Sequence, residues 1–215
     1  LSDLSAIAVT HGPGLVGALL VGVSTAKALA YAREIPLIGV NHLEGHIYAN
    51  FLENPDLKPP LVALVVSGGH SDLLYMSEHG QYRSLGRTRD DAAGEAFDKV
   101  ARVLGLGYPG GPVLEALAKA GRPEAIPFPQ ARLHGDSLDF SFSGLKTAVL
   151  NYINRARQTE AEFNPADLAA GFQQAVVGAL VDKTVKAVWR EQVPTLLLAG
   201  GVSANTRLRE ALSKA

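Results

Sequence analysis

LVALVVSGGHSDLLYM, residues 61–76, consists of two short apolar runs joined by the turn Ser67-Gly68-Gly69-His70. Short apolar runs around a glycine turn predict two strands in a tight hairpin. The glycines would let the backbone approach a ligand closely, and exposed N–H groups in such turns bind phosphate well. Taken alone, the turn is better explained by an ordinary glycine hairpin.

On both sides of this hairpin, short apolar runs alternate with longer helical stretches, the pattern of an α/β protein. We predict strands at 6–10, 37–40, 61–67, 71–76, 81–86 and 195–199, and helices at 14–33, 42–52, 91–105, 112–120, 143–157, 166–191 and 205–214. The proline-rich segment 54–60 would interrupt any regular element. We therefore predict a domain boundary there, with residues 1–60 in one domain and 61–215 in another.

The composition limits the classes of function. With 215 residues and 47% hydrophobic content, the chain can bury a substantial core as one large domain or two small ones. The net charge of −1 gives no argument for nucleic acid, so any RNA contact would be local or shared with a partner. The absence of cysteine excludes disulfides and thiolate metal sites and fits a reducing compartment.

The run from Leu15 to Ala32 is apolar apart from Ser24, Thr25 and Lys27. Its length is close to the roughly 20 residues of a membrane span. Small residues within it and strand-like neighbours favour a buried helix instead.

Two histidines, His42 and His46, stand four residues apart after the apolar run 37–40. On a helix both imidazoles would share one face, about 5–6 Å apart at Cβ, and imidazole is a common ligand of zinc and iron. Glu44 would point about 200° away from His42, which disfavours the metalloprotease motif. Spacing indicates no third ligand, and a pair of capping or packing histidines is the alternative.

Further glycine motifs follow or precede helical stretches. The run 196–199 leads into Gly200-Gly201-Val202-Ser203-Ala204-Asn205, which suits a nucleotide packed at a strand end beside a helix N-terminus. The loop 108–112 could lie flat under a ring. Asp91, Glu95 and Asp98 have the spacing of one helix face, and a solvated face is the default interpretation.

Seven blocks in order closely resemble the tRNA N6-adenosine threonylcarbamoyltransferase family, in its bacterial or organellar branch: 12–15, 42–46, 66–70, 91–99, 108–112, 139–146 and 199–205. Because the blocks are spread over the chain, together they are far more specific than any one of them.

The resemblance implies an α/β, actin-like and Hsp70-like ATPase fold with two lobes around a nucleotide cleft. Residues 1–60 would then be part of an incomplete N-terminal lobe, and residues 61–215 the C-terminal nucleotide-binding lobe. His42 and His46 would hold one divalent metal ion, iron or zinc. The residues implied to contact the nucleotide or acyl group are Val65, Val66, Ser67, Gly68, Gly69, Asp98, Gly111, Glu115 and Asn205.

The resemblance also implies the reaction, in which threonylcarbamoyl-AMP gives its threonylcarbamoyl group to N6 of an adenosine in tRNA. That adenosine lies 3′ of the anticodon in tRNAs reading codons that begin with A. A metal could polarise the carbamoyl group, and backbone N–H groups could hold the departing AMP phosphate. No general base can be named. The implied partners are tRNA, a paralogous non-catalytic subunit, a small ATPase subunit and an upstream synthase, in the cytoplasm or an organelle, without a membrane.

The chain departs from the family pattern at both ends. No phosphate loop with an acidic residue precedes Leu1, and no Thr-Asp-Asn segment with the third metal ligand follows Ala215. We therefore expect a fragment that is inactive alone.

Three alternatives stay open at this point. One is a carbamoyltransferase of the same superfamily, such as those of hydrogenase maturation or antibiotic O-carbamoylation. Another is a non-catalytic paralogous scaffold, which the two histidines count against. The last is the O-sialoglycoprotein endopeptidase activity once attached to such sequences, which the position of Glu44 disfavours.

Overall fold

The computed structural model describes residues 2–130, 133 and 135–215. The chain divides into two compact units, with the division between Leu57 and Lys58.

The first unit is a βαβ motif followed by a second helix. Its elements are β1 (Ile7–Gly12), α1 (Val16–Arg33), β2 (Leu37–Asn41) and α2 (His42–Glu53). β1 and β2 pair in parallel, with Ile7 opposite Leu37. Parallel neighbours require a crossover connection, which α1 supplies.

The exposure of α1 differs from the sequence-based expectation of a buried helix. Only Ala26 and Ala30 of this helix are buried, whereas Leu20 and Val21 are 62% and 70% exposed. The expectation was wrong for this structure because α1 presents only a narrow stripe of small side chains to the interior of the described chain. Among the described residues, no helix combines the length and the apolar character needed to cross a membrane.

In its described residues, the second unit has a four-stranded sheet and five α-helices. The strands are β3 (Leu61–Val66), β4 (Ser71–Glu78), β5 (Gln81–Arg87) and β6 (Leu196–Ala199), in the spatial order β5-β4-β3-β6. β3, β4 and β5 form an antiparallel meander, and β6 pairs with β3 in parallel. The helices are α3 (Ala93–Val103), α4 (Gly110–Ala118), α5 (Ser143–Gln158), α6 (Pro165–Glu191) and α7 (Thr206–Lys214).

The core of this unit lies between the helices and one face of the sheet. All six side chains of β3 are buried, as expected for a central strand with neighbours on both sides. Val62, Leu64 and Val66 pack in the same cluster as Phe97 and Phe172, whose rings meet edge to face at 5.3 Å. The core therefore fixes the carboxyl end of β3 against α3 and α6.

The predicted strands and helices are all present, with ends within two residues of those predicted. A 3-10 turn, Gly201–Ala204, precedes α7 and was not predicted.

Candidate functional site

The first unit places His42 and His46 side by side at the start of α2. Asn41 caps this helix, since its side-chain oxygen accepts hydrogen bonds from the N–H groups of Leu43 at 2.9 Å and Glu44 at 3.4 Å. The two imidazole rings are partly exposed, and their centroids lie 4.5 Å apart at an interplanar angle of 66°. The structure thus brings the two predicted metal ligands together.

This donor set fits part of a metal site. Two neighbouring imidazoles suit zinc or iron, but a protein site normally has at least three protein ligands. In the part of the chain that the structure describes, no group of three or more histidine, aspartate or glutamate side chains could hold an ion.

In the second unit, the glycine hairpin follows the buried strand β3. The Ser67 N–H donates to the His70 carbonyl oxygen at 2.8 Å, and the Ser67 hydroxyl accepts from the His70 N–H at 3.1 Å. A Cβ added at Gly68 or Gly69 would meet no atom within 4 Å. The turn is therefore held by Ser67, while its two glycines lie beside open space.

Val65 and Val66, the last two residues of β3, are buried, unlike the open glycines of the hairpin. Both side chains are fully buried, so only their backbone groups could reach a ligand. Val65 pairs with Ala199 of β6 and with Asp72 of β4. Burial raises the pKa of Asp72, and the nearby charges of His70 and Arg87 partly offset that rise.

Gly94 and Gly200 let the start of α3 and the turn after β6 approach the carboxyl end of β3 closely. An added Cβ at Gly200, which has a φ of 87°, would lie 2.4 Å from the Val66 carbonyl oxygen. At Gly94 it would lie 2.5 Å from the carbonyl oxygen of Ser67, to which the Gly94 N–H donates at 3.2 Å. Since β3 and β6 are parallel, their carboxyl ends and the glycine turns that follow meet at one edge of the sheet.

Asp98 and Gly111 lie on the next two helices. The Asp98 carboxylate accepts a 2.7 Å hydrogen bond from the Gly110 N–H at the first residue of α4. Gly111 follows directly, and a Cβ there would meet no atom within 4 Å. Asp98 thus satisfies an otherwise unpaired amide at a helix N-terminus.

Glu115 and Asn205 connect α4 to α7. The Glu115 carboxylate accepts from the Thr206 N–H at 2.9 Å. The buried Asn205 caps α7 by accepting from the Leu208 N–H at 2.9 Å, and its amide nitrogen donates to Gln173 at 3.0 Å. Glu115 and Asn205 thus hold the N-terminus of α7 in place.

A groove of about 200 Å³ opens beside these residues. It is lined from α4, α6 and α7, with polar groups from Glu115, Lys119, Gln173, Gln174, Thr206 and Arg207. Its lining combines carboxylate, amide, cationic and apolar groups.

The contacts link the predicted nucleotide residues into one connected set. The hairpin contacts α3 through Gly94, α3 contacts α4 through Asp98, α4 contacts α7 through Glu115, and the turn before α7 returns to β3 through Gly200. We name this set the nucleotide edge. The sequence prediction placed Gly200 in a nucleotide-binding glycine motif but did not predict its close approach to β3, and it assigned Gly94 and Gln173 no role. The two glycines could have been suspected from their places at a helix start and a strand end.

Asp91, Glu95 and Asp98 are not one solvated helix face, in contrast to the default interpretation. α3 begins only at Ala93, and the preceding Asp91 pairs with Lys99 at 2.8 Å and with Lys146 at 3.5 Å. Burial acts to raise the pKa of Asp91, but the two lysines outweigh it and lower that pKa below its usual value.

The carboxylate of Asp139 accepts hydrogen bonds that depend on its negative charge and should therefore weaken in acid. Its carboxylate accepts from the Arg87 N–H at 3.0 Å and from the Arg89 side chain at 2.8 Å. Burial acts to raise its pKa, but these hydrogen bonds lower it below the usual 3.8. A depressed carboxyl pKa contributes stability above about pH 4 that is lost as the pH falls through the folded-state pKa.

We therefore expect Asp139→Asn to lower the free energy of unfolding by about 1 kcal/mol at pH 7. The difference between the variant and the parent should shrink as the pH falls below 4, because protonation removes the same charge from the parent. Urea unfolding measured by circular dichroism from pH 7 to pH 3 checks both points. A difference independent of pH would contradict the assigned cause.

The fold defines the class: this is an α/β protein of the actin-like ATPase fold. Among solved structures, the crystal structure of T. kodakarensis HypF is similar to this chain with a TM-score of 0.70 and 15% identity, covering 100% of this chain and 36% of that one. The activator of the 2-hydroxyisocaproyl-CoA dehydratase from Clostridium difficile, with bound ADPNP, gives a TM-score of 0.50 at 13% identity, covering 90% and 71%. At these identities the similarity concerns the fold alone.

Similarity of sequence shows the family to which the chain belongs. The family described as TsaD, tRNA N6-adenosine threonylcarbamoyltransferase, matches residues 1–215, and the chain belongs to it. The protein of that description from Desulfitobacterium hafniense is 65% identical over 213 residues, which are 99% of this chain and 62% of that protein. The one from Moorella thermoacetica is 64% identical, covering 100% and 63%. The chain thus spans slightly less than two thirds of the length of these relatives.

Proposed function

We propose that this protein transfers the threonylcarbamoyl group of threonylcarbamoyl-AMP to N6 of the adenosine 3′ of the anticodon, in tRNAs reading codons that begin with A. The adenosine amine attacks the carbamoyl carbon and a C–N bond forms. The bond between that carbon and the phosphate oxygen breaks, AMP leaves, and the amine gives up one proton to solvent.

The observation that carries this proposal is the open glycine hairpin at the nucleotide edge, in a chain whose residues 1–215 match the family. Gly68 and Gly69 leave room for a phosphate to approach the backbone. α3 and α7 belong to the same connected set as that turn and contribute two helix N-termini to it. Helix N-termini and turn amides favour anions. The same groups would stabilise the AMP phosphate as it leaves.

We assign binding of the nucleotide and acyl group to the residues of the nucleotide edge that the sequence predicted. Val65, Val66, Ser67, Gly68 and Gly69 would act through backbone groups, with the Ser67 hydroxyl holding the turn. Gly111 would approach the nucleotide closely, and the groove beside Glu115 and Asn205 would take its adenosine. Asp98 would act by keeping the start of α4 in place.

His42 and His46 would hold a divalent ion, iron or zinc, as two of its ligands. When bound, such an ion would polarise the carbamoyl carbonyl as a Lewis acid. The role of the chain's own residues is to orient the two imidazoles, which Asn41 does by starting α2 at His42.

The remaining assignments follow from the family. We propose that residues 1–60 belong to the N-terminal lobe and residues 61–215 to the nucleotide-binding lobe. The partners would be tRNA, a paralogous non-catalytic subunit, a small ATPase subunit and the synthase that makes threonylcarbamoyl-AMP, all in the cytoplasm.

Incorporation of labelled threonine into tRNA tests the reaction. The full-length protein, its partner subunits and the synthase should label a transcript with the target adenosine. A transcript with guanosine at that position should stay unlabelled. Equal labelling of the two transcripts, or none of either, would refute the proposal.

The hairpin gives a test of binding. Gly68→Val should weaken binding of an AMP-like ligand by about tenfold or more, because a branched side chain would occupy the space next to the backbone amides. The fold should be unchanged, since a Cβ at Gly68 meets no atom within 4 Å. Isothermal titration on the full-length protein measures the affinity, and circular dichroism measures the melting temperature.

Gly17→Val is the matched control, since Gly17 in α1 also has no atom within 4 Å of an added Cβ. It should leave the affinity unchanged. Unaltered affinity in Gly68→Val would mean that the turn is only structural.

A further inference from the structure

The exposed surface of α5 is polar along its length, and its exposed cations, Arg155 and Arg157, lie in the last turn. The helix buries Leu145, Val149, Ile153 and Ala156. Its exposed polar side chains are Thr147, Asn151, Asn154, Arg155, Arg157 and Gln158, which we name the α5 polar face. No aspartate or glutamate occurs within α5. The charged side chains of this face are therefore the two arginines at the carboxyl end of the helix.

The cations of α5 are not all explained by helix stability. Arg155 and Arg157 lie in the last turn, where positive charge is favoured by the helix dipole. Neither arginine forms an ion pair with any residue that the structure describes. Lys146 lies in the first turn, where the dipole disfavours a cation, and it forms an ion pair with Asp91 at 3.5 Å. Charge is thus present at both ends of the helix.

The N-terminus of α5 is connected to the nucleotide edge. Asp90 accepts hydrogen bonds from the N–H groups of Phe142 at 2.8 Å and Ser143 at 3.2 Å. Asp90 lies three residues before α3, and the Gly94 N–H of α3 donates to Ser67 in the hairpin. From this point the 16 residues of α5 extend for about 24 Å.

We propose that the α5 polar face binds the sugar–phosphate backbone of the RNA substrate. This inference rests on the proposed function and adds to it the surface that receives the RNA. Arginine, threonine, asparagine and glutamine are the side chains that contact phosphates and sugars, and amides can also bind the ribose 2′-hydroxyl. An acidic protein is disfavoured as the occupant, because the exposed positions carry no large apolar side chain to anchor a protein.

The test compares two double variants of the full-length protein in complex with its partner subunits. Arg155→Gln with Arg157→Gln removes two charges from the α5 polar face. Lys186→Gln with Arg190→Gln removes two charges from the second half of α6 and is the matched control. Fluorescence anisotropy gives the tRNA affinity between 50 and 300 mM salt, and titration with an AMP-like ligand gives the nucleotide affinity.

We expect the α5 variant to lose roughly tenfold in tRNA affinity, with a log–log salt slope shallower by about 1 to 2. Its affinity for the AMP-like ligand and its melting temperature should match the parent, as should all properties of the control. Asn151→Asp, which adds one negative charge at nearly constant size, should also weaken tRNA binding.

Parental tRNA affinity in both α5 variants would overturn the inference while leaving the proposed function intact. An equal loss in the control would overturn it as well, since the effect would then come from total charge. Loss of a partner subunit from the complex in the α5 variants alone would assign this face to a protein instead. A parent that neither binds nor labels tRNA would refute the proposed function together with the inference.

Discussion

Replacing either His42 or His46 with alanine should remove the proposed metal ion from the full-length protein and reduce the proposed threonylcarbamoyl transfer by roughly 100-fold or more. Loss of groups that only support a metal ligand already costs about 10- to 100-fold, so loss of a ligand should cost at least as much. Since the two rings would act on one ion, the double variant should be little worse than either single variant. Elemental analysis of the purified protein and the labelled-threonine assay are the measurements.

The fold should survive these substitutions. α2 is started by the Asn41 side chain, whose oxygen accepts hydrogen bonds from the backbone N–H groups of Leu43 and Glu44. Alanine also has a higher helix propensity than histidine. His79→Ala, in the turn between β4 and β5, is the matched control and should keep both metal and activity. Retention of metal by His42→Ala would rule out the two-histidine site.

Gly200→Val should prevent the second unit from folding stably, with a loss of more than about 4 kcal/mol in the free energy of unfolding. A side chain there must adopt a φ of 87°, which a β-branched residue rarely does. Its Cβ would also lie 2.4 Å from the Val66 carbonyl oxygen, well inside van der Waals contact. Both effects would push β6 away from β3, where the carboxyl ends of the two strands meet.

Gly201→Ala is the matched control, because an added Cβ at the next residue meets no atom within 4 Å. It should change the free energy by less than about 1 kcal/mol. Urea unfolding followed by circular dichroism compares these variants. Gly200→Ala, which places only the Cβ itself, is the milder variant for measurement if the valine variant is insoluble. A Gly200→Ala protein as stable as the parent would contradict the close approach.

The sequence by itself determined the α/β class and the position of each strand and helix. The physical reason is local. Apolar runs bounded by glycine and proline, as in the stretch 61–76, restrict the backbone before any long-range contact forms. The spacing of His42 and His46 likewise settled that the two imidazoles share one face, because a helix repeats every 3.6 residues.

Only the tertiary structure decided how the other candidate residues act. Asp98, Glu115 and Asn205 were expected to contact a nucleotide, yet each bonds to a backbone amide at the start of a helix. Asn205 is the local case, since it caps α7 three residues before Leu208. The amides bound by Asp98 and Glu115 lie 12 and 91 residues away, so no local pattern could pair them. The same holds for Gly200, whose need for a small residue arises from β3, a strand distant in sequence that β6 meets only in the folded sheet.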